Sequence, residues 1–164
     1  MISLKKRDQG FTIVELLIVI VVIGILALLV ITTYSGIQAK ARNAKRGSDI
    51  KSLQTQIEAF FSQNGYYPSQ TDLNDTKSGG WVATNMKSLD VNAVVDPSED
   101  NSCLAAGSCL KSGTPAAKAY YYNVTDSSGN SCETTDTNCA KYTLTATYEG
   151  TVNGQSTAVA QNLD

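Results

Sequence analysis

One uninterrupted apolar run constrains this chain more than any other feature of its sequence. Residues 16–31 read LLIVIVVIGILALLVI, sixteen residues without a polar side chain, and residues 11–14 extend the run beyond Glu15. A helix rises about 1.5 Å per residue, so a helix over residues 11–31 can cross a hydrocarbon layer of about 30 Å. We therefore predict a membrane-spanning segment at the front of the chain.

Charge and composition exclude several classes of function. The 164 residues carry 13 Lys and Arg against 15 Asp and Glu, a net charge of -2, which predicts no nucleic-acid binding. Residues 1–51 hold eight basic and three acidic groups, whereas residues 52–164 hold five and twelve. The chain has no histidine, which excludes His-based catalytic triads and zincin-type metal sites. We expect a protein that is not an enzyme.

Two routes of processing are open for this N-terminus. Lys5-Lys6-Arg7 is the positively charged start of a secretory signal, and an ordinary signal peptide would be removed after the apolar segment, at Ala39. Glu15 argues against that route, because a carboxylate within a membrane segment costs about 2.5–3.5 kcal/mol and a disposable leader has no use for it. The second route cuts before the apolar segment and keeps it as the new N-terminus.

The residues around Glu15 resemble a known signal. Lys5-Lys6-Arg7, then Gly10-Phe11-Thr12-Ile13-Val14-Glu15-Leu16 and the aliphatic run, are similar to the class III signal of type IV prepilins, a family that includes the pseudopilins of type II secretion. The resemblance implies that prepilin peptidase cleaves between Gly10 and Phe11, removes residues 1–10 as a leader and N-methylates Phe11. It also implies an assembly role, in which Glu15 of one subunit neutralises the Phe11 amine of a neighbour.

A local role for Glu15 stays open beside the assembly role. Thr12-Ile13-Val14-Glu15 has the spacing of a capping box, in which the Thr12 hydroxyl and the Glu15 carboxylate satisfy free N–H groups at a helix start. An acidic side chain in the first turn is also favoured by the helix dipole, typically by about 0.3–1 kcal/mol.

The helical pattern continues far beyond the apolar segment. Ile50, Leu53, Ile57 and Phe60 recur at three- and four-residue steps, and the first proline is Pro68. We predict one helix over residues 11–63, with a transmembrane and filament-core half over 11–31 and an amphipathic half over 32–63. Asn64-Gly65 and Pro68 should end it. Asn64-Gly65-Tyr66-Tyr67-Pro68 resembles the NGxYP turn of pilins and of the major pseudopilin of type II secretion.

Lys40, Arg42, Lys45 and Arg46 form a basic band just after the apolar segment. As a solvated face beside the membrane, the band would contact lipid head groups. In a filament, it would instead face the acidic heads of neighbouring subunits. Both interpretations stay open.

The four cysteines lie in the polar remainder, residues 64–164, which we predict to be a globular head. They allow three pairings, and the two local ones close the shortest loops, so Cys103–Cys109 and Cys132–Cys139 are expected. Disulfides place this head in an oxidising compartment outside the cell membrane. Strands are predicted over residues 119–124, 142–149 and 155–161, with a turn at 150–154. The predicted fold is therefore α+β, a long N-terminal α-helix packed by its second half on a small antiparallel β-sheet.

No cofactor is predicted, and calcium is the one metal for which the composition offers candidates. Asp126, Ser128 and Asn130 have the composition of a calcium loop without its full ligand spacing, as do residues 96–101. Ordinary turns account for both segments more simply.

These features together predict a structural subunit of a type IV pilus. The resemblance implies a bacterial precursor that crosses the cytoplasmic membrane once, with its N-terminus inside and its head outside. Its partners would be membrane lipid, prepilin peptidase, the inner-membrane assembly platform and its own copies, in an extracellular helical homopolymer for adhesion, twitching motility or DNA uptake. One alternative is a pseudopilin of type II secretion, and another is a monomeric membrane-anchored binding module. A secreted enzyme is a remote third.

Overall fold

The structure is a computed structural model that describes residues 11–134 and 136–163, apart from the Thr32 side chain. The predicted leader, residues 1–10 with Gly10, lies outside the described residues. The fold is α+β, as predicted. In chain order the elements are α1 (Ile13–Asn64), α2 (Gln70–Asn74), α3 (Trp81–Asn85), a 3-10 turn (Val91–Val94), α4 (Ser102–Ala106), β1 (Leu110–Lys111), β2 (Tyr120–Asp126), β3 (Cys139–Val152) and β4 (Gln155–Gln161).

Helix α1 is 52 residues long and ends where the sequence predicts. Gly65 adopts a φ of +79°, and its N–H donates to the Phe61 carbonyl at 2.7 Å. This left-handed residue satisfies a carbonyl of the last turn, and glycine adopts the conformation without steric cost. By compactness the chain divides into two units, one ending at Gln38 and the other beginning at Ala39.

The first unit exposes its apolar side chains. Within the described residues up to Gln38, the large hydrophobic side chains of α1 and Phe11 are 48% to 85% exposed. In the described part of the chain, α1 is the one helix that is long and apolar enough to cross a membrane, on length and composition alone.

The second unit has a hydrophobic core between the second half of α1 and one face of the sheet. Ile50, Leu53, Ile57 and Phe60 are buried, which confirms the predicted stripe. Inward-facing residues alternate along β2 and β3 and complete the core from the sheet side, as a half-buried strand requires. They include Tyr120, Tyr122, Val124, Tyr142, Leu144 and Ala146.

The sheet has the order β1-β2-β3-β4. Its β2–β3 and β3–β4 pairs are antiparallel, as predicted, but β1 pairs with β2 in parallel, so the sheet is mixed. The prediction missed β1 because it has only two residues. Its position depends on α2, where the Asn74 amide donates to the Leu110 carbonyl at 2.9 Å and accepts from the Leu110 N–H at 2.8 Å.

The hairpin between β3 and β4 is tighter than the predicted turn at residues 150–154. Val152 pairs with Gln155, which leaves Asn153 and Gly154 as the two-residue loop. Their φ angles are +50° and +80°, as a type I′ turn requires.

Disulfides close two short loops in the head, Cys103–Cys109 and Cys132–Cys139, and no free cysteine remains among the chain's four. These are the two local pairs that the sequence analysis favoured.

Removing either disulfide should lower the stability of the head. Replacing Cys103 and Cys109 by alanine is expected to reduce the free energy of unfolding by about 2 kcal/mol, because the open loop gains conformational entropy when unfolded. The same change at Cys132 and Cys139 should cost about as much, since the sequence separations are 6 and 7 residues. Chemical denaturation of the oxidised chain and both variants measures this, and unchanged midpoints would contradict it.

Candidate assembly site

The start of α1 forms a closed hydrogen-bonded ring. Glu15 Oε2 accepts from the Thr12 backbone N–H at 2.8 Å and from the Thr12 hydroxyl at 2.6 Å. Thr12 Oγ1 in turn accepts from the Glu15 N–H at 3.2 Å. This is capping-box geometry, in which two N–H groups at the helix start are satisfied reciprocally. The local role considered for Glu15 is therefore present within a single chain.

The assembly role concerns the same carboxylate and its neighbour Phe11. Phe11 is 83% exposed, and Glu15 is also exposed, one turn further along the chain. Cleavage after Gly10 would convert the backbone nitrogen of Phe11 into a cationic amine. The pairing of this amine with Glu15 of a second copy stays a prediction.

The basic band differs from both interpretations of the sequence, because three of its four members form ion pairs with carboxylates of the same chain. Arg46 is 1% exposed. Its Nε and Nη2 donate to the two Asp96 carboxylate oxygens at 2.7 and 2.9 Å, and its Nη2 also donates to Ser98 Oγ at 2.8 Å. Two parallel N–H groups of a guanidinium match the two oxygens of a carboxylate in both geometry and charge. Arg46 therefore joins the second half of α1 to the head.

Glu149, near the end of β3, binds the same helix. It accepts from Arg42 Nε at 2.6 Å and from Arg46 Nη1 at 3.0 Å. Its backbone N–H and carbonyl are both bound by the side-chain amide of Asn43, at 2.9 and 3.0 Å. Hydrogen bonds from Arg42 and Arg46 hold the pKa of Glu149 at about 2, well below its ordinary value.

Lys45 is bound within its own helix. Its Nζ lies 2.7 Å from Asp49 Oδ2, which also accepts the Tyr120 hydroxyl at 2.8 Å. Burial raises the pKa of Asp49 despite these partners. Lys40 and Lys45 are the exposed members of the band.

Sequence reasoning missed Asp96 and Glu149 as partners of the band. Asp96 was considered only as part of a calcium-type loop, and Glu149 only as the end of a strand. They lie 50 and 103 residues from Arg46 along the chain, so no local pattern connects them.

The calcium candidates form an ordinary turn. Asp126 Oδ1 accepts the N–H groups of Ser128 and Asn130, both at 2.8 Å, and Asp126 Oδ2 accepts the Asn130 side-chain amide at 2.9 Å. Both carboxylate oxygens thus already bind donors of the loop. Within residues 11–134 and 136–163, no group of three or more His, Cys, Asp or Glu could hold a metal ion.

The turn after α1 is hydrogen-bonded to the two central strands of the sheet, β2 and β3. The Tyr67 N–H donates to the Cys139 carbonyl at 3.0 Å, and the Tyr122 hydroxyl donates to the Pro68 carbonyl at 2.8 Å. Tyr67 is fully buried. The turn that resembles NGxYP therefore fixes the end of the helix to β2 and β3.

Comparison with known proteins locates the similarity in the N-terminal part of the chain. A family described as "Prokaryotic N-terminal methylation motif" matches residues 5–31. The type II secretion system core protein G of Dickeya chrysanthemi is 38% identical over 66 residues, 40% of this chain and 43% of that protein. The type IV major pilin protein PilA of Myxococcus xanthus is 38% identical over 63 residues, 38% of this chain and 29% of that protein. The N-terminal part of this chain is therefore similar to type IV pilins and to type II secretion pseudopilins.

The similarity covers only part of each relative. The core protein G of Aeromonas hydrophila is 40% identical over 65 residues, again 40% of this chain and 46% of that protein. The matches thus span less than half the length of these relatives. No solved structure matches the chain. The similarity supports an N-terminal methylation motif followed by an apolar, membrane-anchor type helix.

Glu149 should make the stability of the head depend on pH in acid. Its pKa is about 2 in the folded head against an ordinary value of 4.5, so the ionised form favours folding. Its contribution is complete above about pH 4.5 and is lost as the pH falls towards 2. Glu149→Gln removes this contribution. The difference in free energy of unfolding between the wild type and this variant should therefore shrink through that window, as chemical denaturation at each pH can measure.

A difference that stays constant from about pH 5 to pH 2 would contradict this assignment. The comparison is made between two chains at the same pH because Asp49 acts in the opposite direction. Its raised pKa means that protonation of Asp49 favours the folded head as the pH falls, and this contribution is common to both chains.

Proposed function

We propose that this chain is a structural subunit of the pseudopilin type, which waits in the membrane and assembles with its copies through the first half of α1. The observation that carries the proposal is the exposed apolar segment with Glu15 in its first turn. Its large side chains are about half exposed or more along the described residues up to Gln38. Such an apolar surface has to be covered by lipid or by protein.

Assembly, not turnover, is the proposed mechanism. Residues 16–31 pass from lipid into a bundle of identical helices. Their apolar side chains are covered by lipid before assembly and by neighbouring helices after it. The Phe11 amine of one subunit and Glu15 of the next set the register of the bundle, because either charge alone would be stranded in an apolar surrounding. The absence of histidine supports a subunit without catalytic activity.

The names of the relatives favour the hypothesis of a type II secretion pseudopilin over that of a pilus subunit. Proteins named type II secretion system core protein G, from several genera, match this chain at 36% to 41% identity in cases such as those from Klebsiella pneumoniae and Pectobacterium carotovorum. A pilus subunit is the second candidate, which the match to PilA supports. Adhesion, twitching motility or DNA uptake would belong to that second candidate.

Deleting the gene for this chain in its native host distinguishes a pseudopilin from a pilus subunit. A pseudopilin deletion should abolish export of secreted proteins and leave the surface fibres unchanged. A pilus-subunit deletion should remove fibres from sheared surface material, as seen by electron microscopy, and leave secretion intact. N-terminal sequencing of the mature chain tests the shared part of the proposal. A start at Phe11 supports it, and a start at Met1 or Ala39 would overturn both candidates.

A further inference from the structure

The two edges of the sheet differ in how they are protected. At one edge, β1 is two residues long, and its Leu110 carbonyl accepts from the side chains of Gln70 and Asn74. At the other edge, β4 extends over seven residues and pairs with β3 on one side. In the described part of the chain, no strand pairs with the opposite side of β4.

Strand β4 lacks the usual protection of an edge. Its sequence, QSTAVAQ, contains no charged residue, no proline and no glycine. Soluble proteins normally protect such an edge with a lysine, a proline, a bulge or a covering loop, because its backbone groups can pair with another strand. One side-chain bond reaches the end of the strand, where Gln54 Nε2 donates to the Gln161 carbonyl at 3.1 Å.

A second observation concerns exposed apolar side chains. Among the described residues from Ala39 onward, the large hydrophobic side chains that are exposed are Val159, at 56%, and Leu163, at 74%. Val159 lies on β4, and Leu163 follows the last residue of β4 by two positions. The open edge and the exposed apolar side chains of the head therefore coincide.

The sequence of β4 matches itself when it is read in the antiparallel direction. In a two-fold pairing centred on Ala158, Gln155 lies opposite Gln161 of the second copy, and Thr157 lies opposite Val159. Glutamine amides can hydrogen-bond to each other, and two β-branched residues form a favourable cross-strand pair. No like charges meet, because the strand has none.

The same register keeps the two faces of the sheet distinct. Ala158 and Ala160 pair with the core residues Ala146 and Leu144 of β3, so they belong to the face that covers α1. Thr157 and Val159 belong to the opposite face. In the register centred on Ala158, odd-numbered residues meet odd-numbered residues, so the faces of the two sheets continue into each other.

We propose that the head binds a second copy of itself through β4, joining two four-stranded sheets into one continuous sheet of eight strands. Neighbours in a helical filament are related head to tail, whereas this contact is two-fold. The contact is therefore separate from the bundling of α1, and it does not depend on the proposed function.

Analytical ultracentrifugation of the full-length chain in mild detergent tests the proposal. Micelles are kept in large molar excess, so that two chains do not share a micelle by chance. The wild type should form dimers, and Val159→Lys should raise the dissociation constant about tenfold or more, because a lysine on an edge strand opposes pairing. Thr143→Lys is the matched control, since Thr143 is exposed on the same face but lies on β3, away from the edge. It should dimerise as the wild type does.

A charge pair tests the register itself. In the chain with both Thr157→Glu and Val159→Lys, each new lysine faces a new glutamate of the partner, so dimerisation should be restored. A wild type that stays monomeric up to its solubility limit would overturn the proposal, as would a dimer that Val159→Lys leaves unchanged. Failure of the double variant to recover would overturn the register on which the proposal depends. The fluorescence of Trp81, the chain's one tryptophan, checks that each variant is folded.

Discussion

Subunits with Glu15→Ala should enter the membrane and be cleaved after Gly10, but they should yield at least about a hundredfold less filament than the wild type. In the assembled bundle, each Phe11 amine would lose its carboxylate partner, and a stranded charge in an apolar surrounding costs about 3–5 kcal/mol per contact. The quantity to measure is the amount of chain in sheared or overproduced filaments, relative to cleaved chain in the membrane fraction.

Thr12→Ala is the control that separates the two roles of Glu15. It removes the hydroxyl that binds the carboxylate at 2.6 Å and the Glu15 N–H at 3.2 Å, but it keeps the carboxylate. Losing a helix cap costs about 1 kcal/mol, so this variant should assemble at close to the normal yield. Equal losses for both variants would show that capping is the whole role of Glu15, and a normal yield for Glu15→Ala would exclude the pairing role.

The second large effect concerns the buried ion pair of the head. Arg46→Met should lower the free energy of unfolding by about 3–5 kcal/mol, because Asp96, whose side chain is 0% exposed, would be left as an unpaired buried carboxylate. Chemical denaturation of the full chain in mild detergent, followed by the fluorescence of Trp81, measures the change.

Two further variants make this result specific. Arg42→Met removes an arginine four residues away, from a pair whose side chains are 31% and 37% exposed, so it should cost at most about 1 kcal/mol. The double variant with Arg46→Met and Asp96→Leu should recover most of the loss, because no buried charge is left unpaired. If the double variant is as unstable as Arg46→Met alone, the loss reflects packing and not a stranded charge.

The elements that could be predicted from the sequence are those set by neighbouring residues. Helix α1 was predicted over residues 11–63 and is found over Ile13–Asn64, because its apolar run, its stripe and its terminal Asn64-Gly65 are all local signals. The capping-box geometry at Thr12 and Glu15 follows from a spacing of three residues. The three longer strands follow from an aromatic run in β2, from alternation in β3 and from the turn that precedes β4.

The elements that could not be predicted depend on residues far apart in sequence. Strand β1 exists because α2 supplies an asparagine that binds both backbone groups of Leu110, 36 residues later. Lysine and arginine side chains just after a membrane segment have the same appearance in sequence whether they contact lipid, a neighbour or their own head. Only the positions of Asp96 and Glu149 in the folded chain assign Arg46 to the head.

The contacts that hold the second half of α1 also set the order in which the head can form. Asn43 binds Glu149, 106 residues later, and Tyr67 binds Cys139, 72 residues later. During synthesis, the helix emerges long before β3 does, so the part of its amphipathic face that β3 covers stays exposed until β3 has been made. The core is therefore completed last, and a chain truncated before β3 would leave the amphipathic face of α1 without the Tyr142, Leu144 and Ala146 side chains that cover part of it.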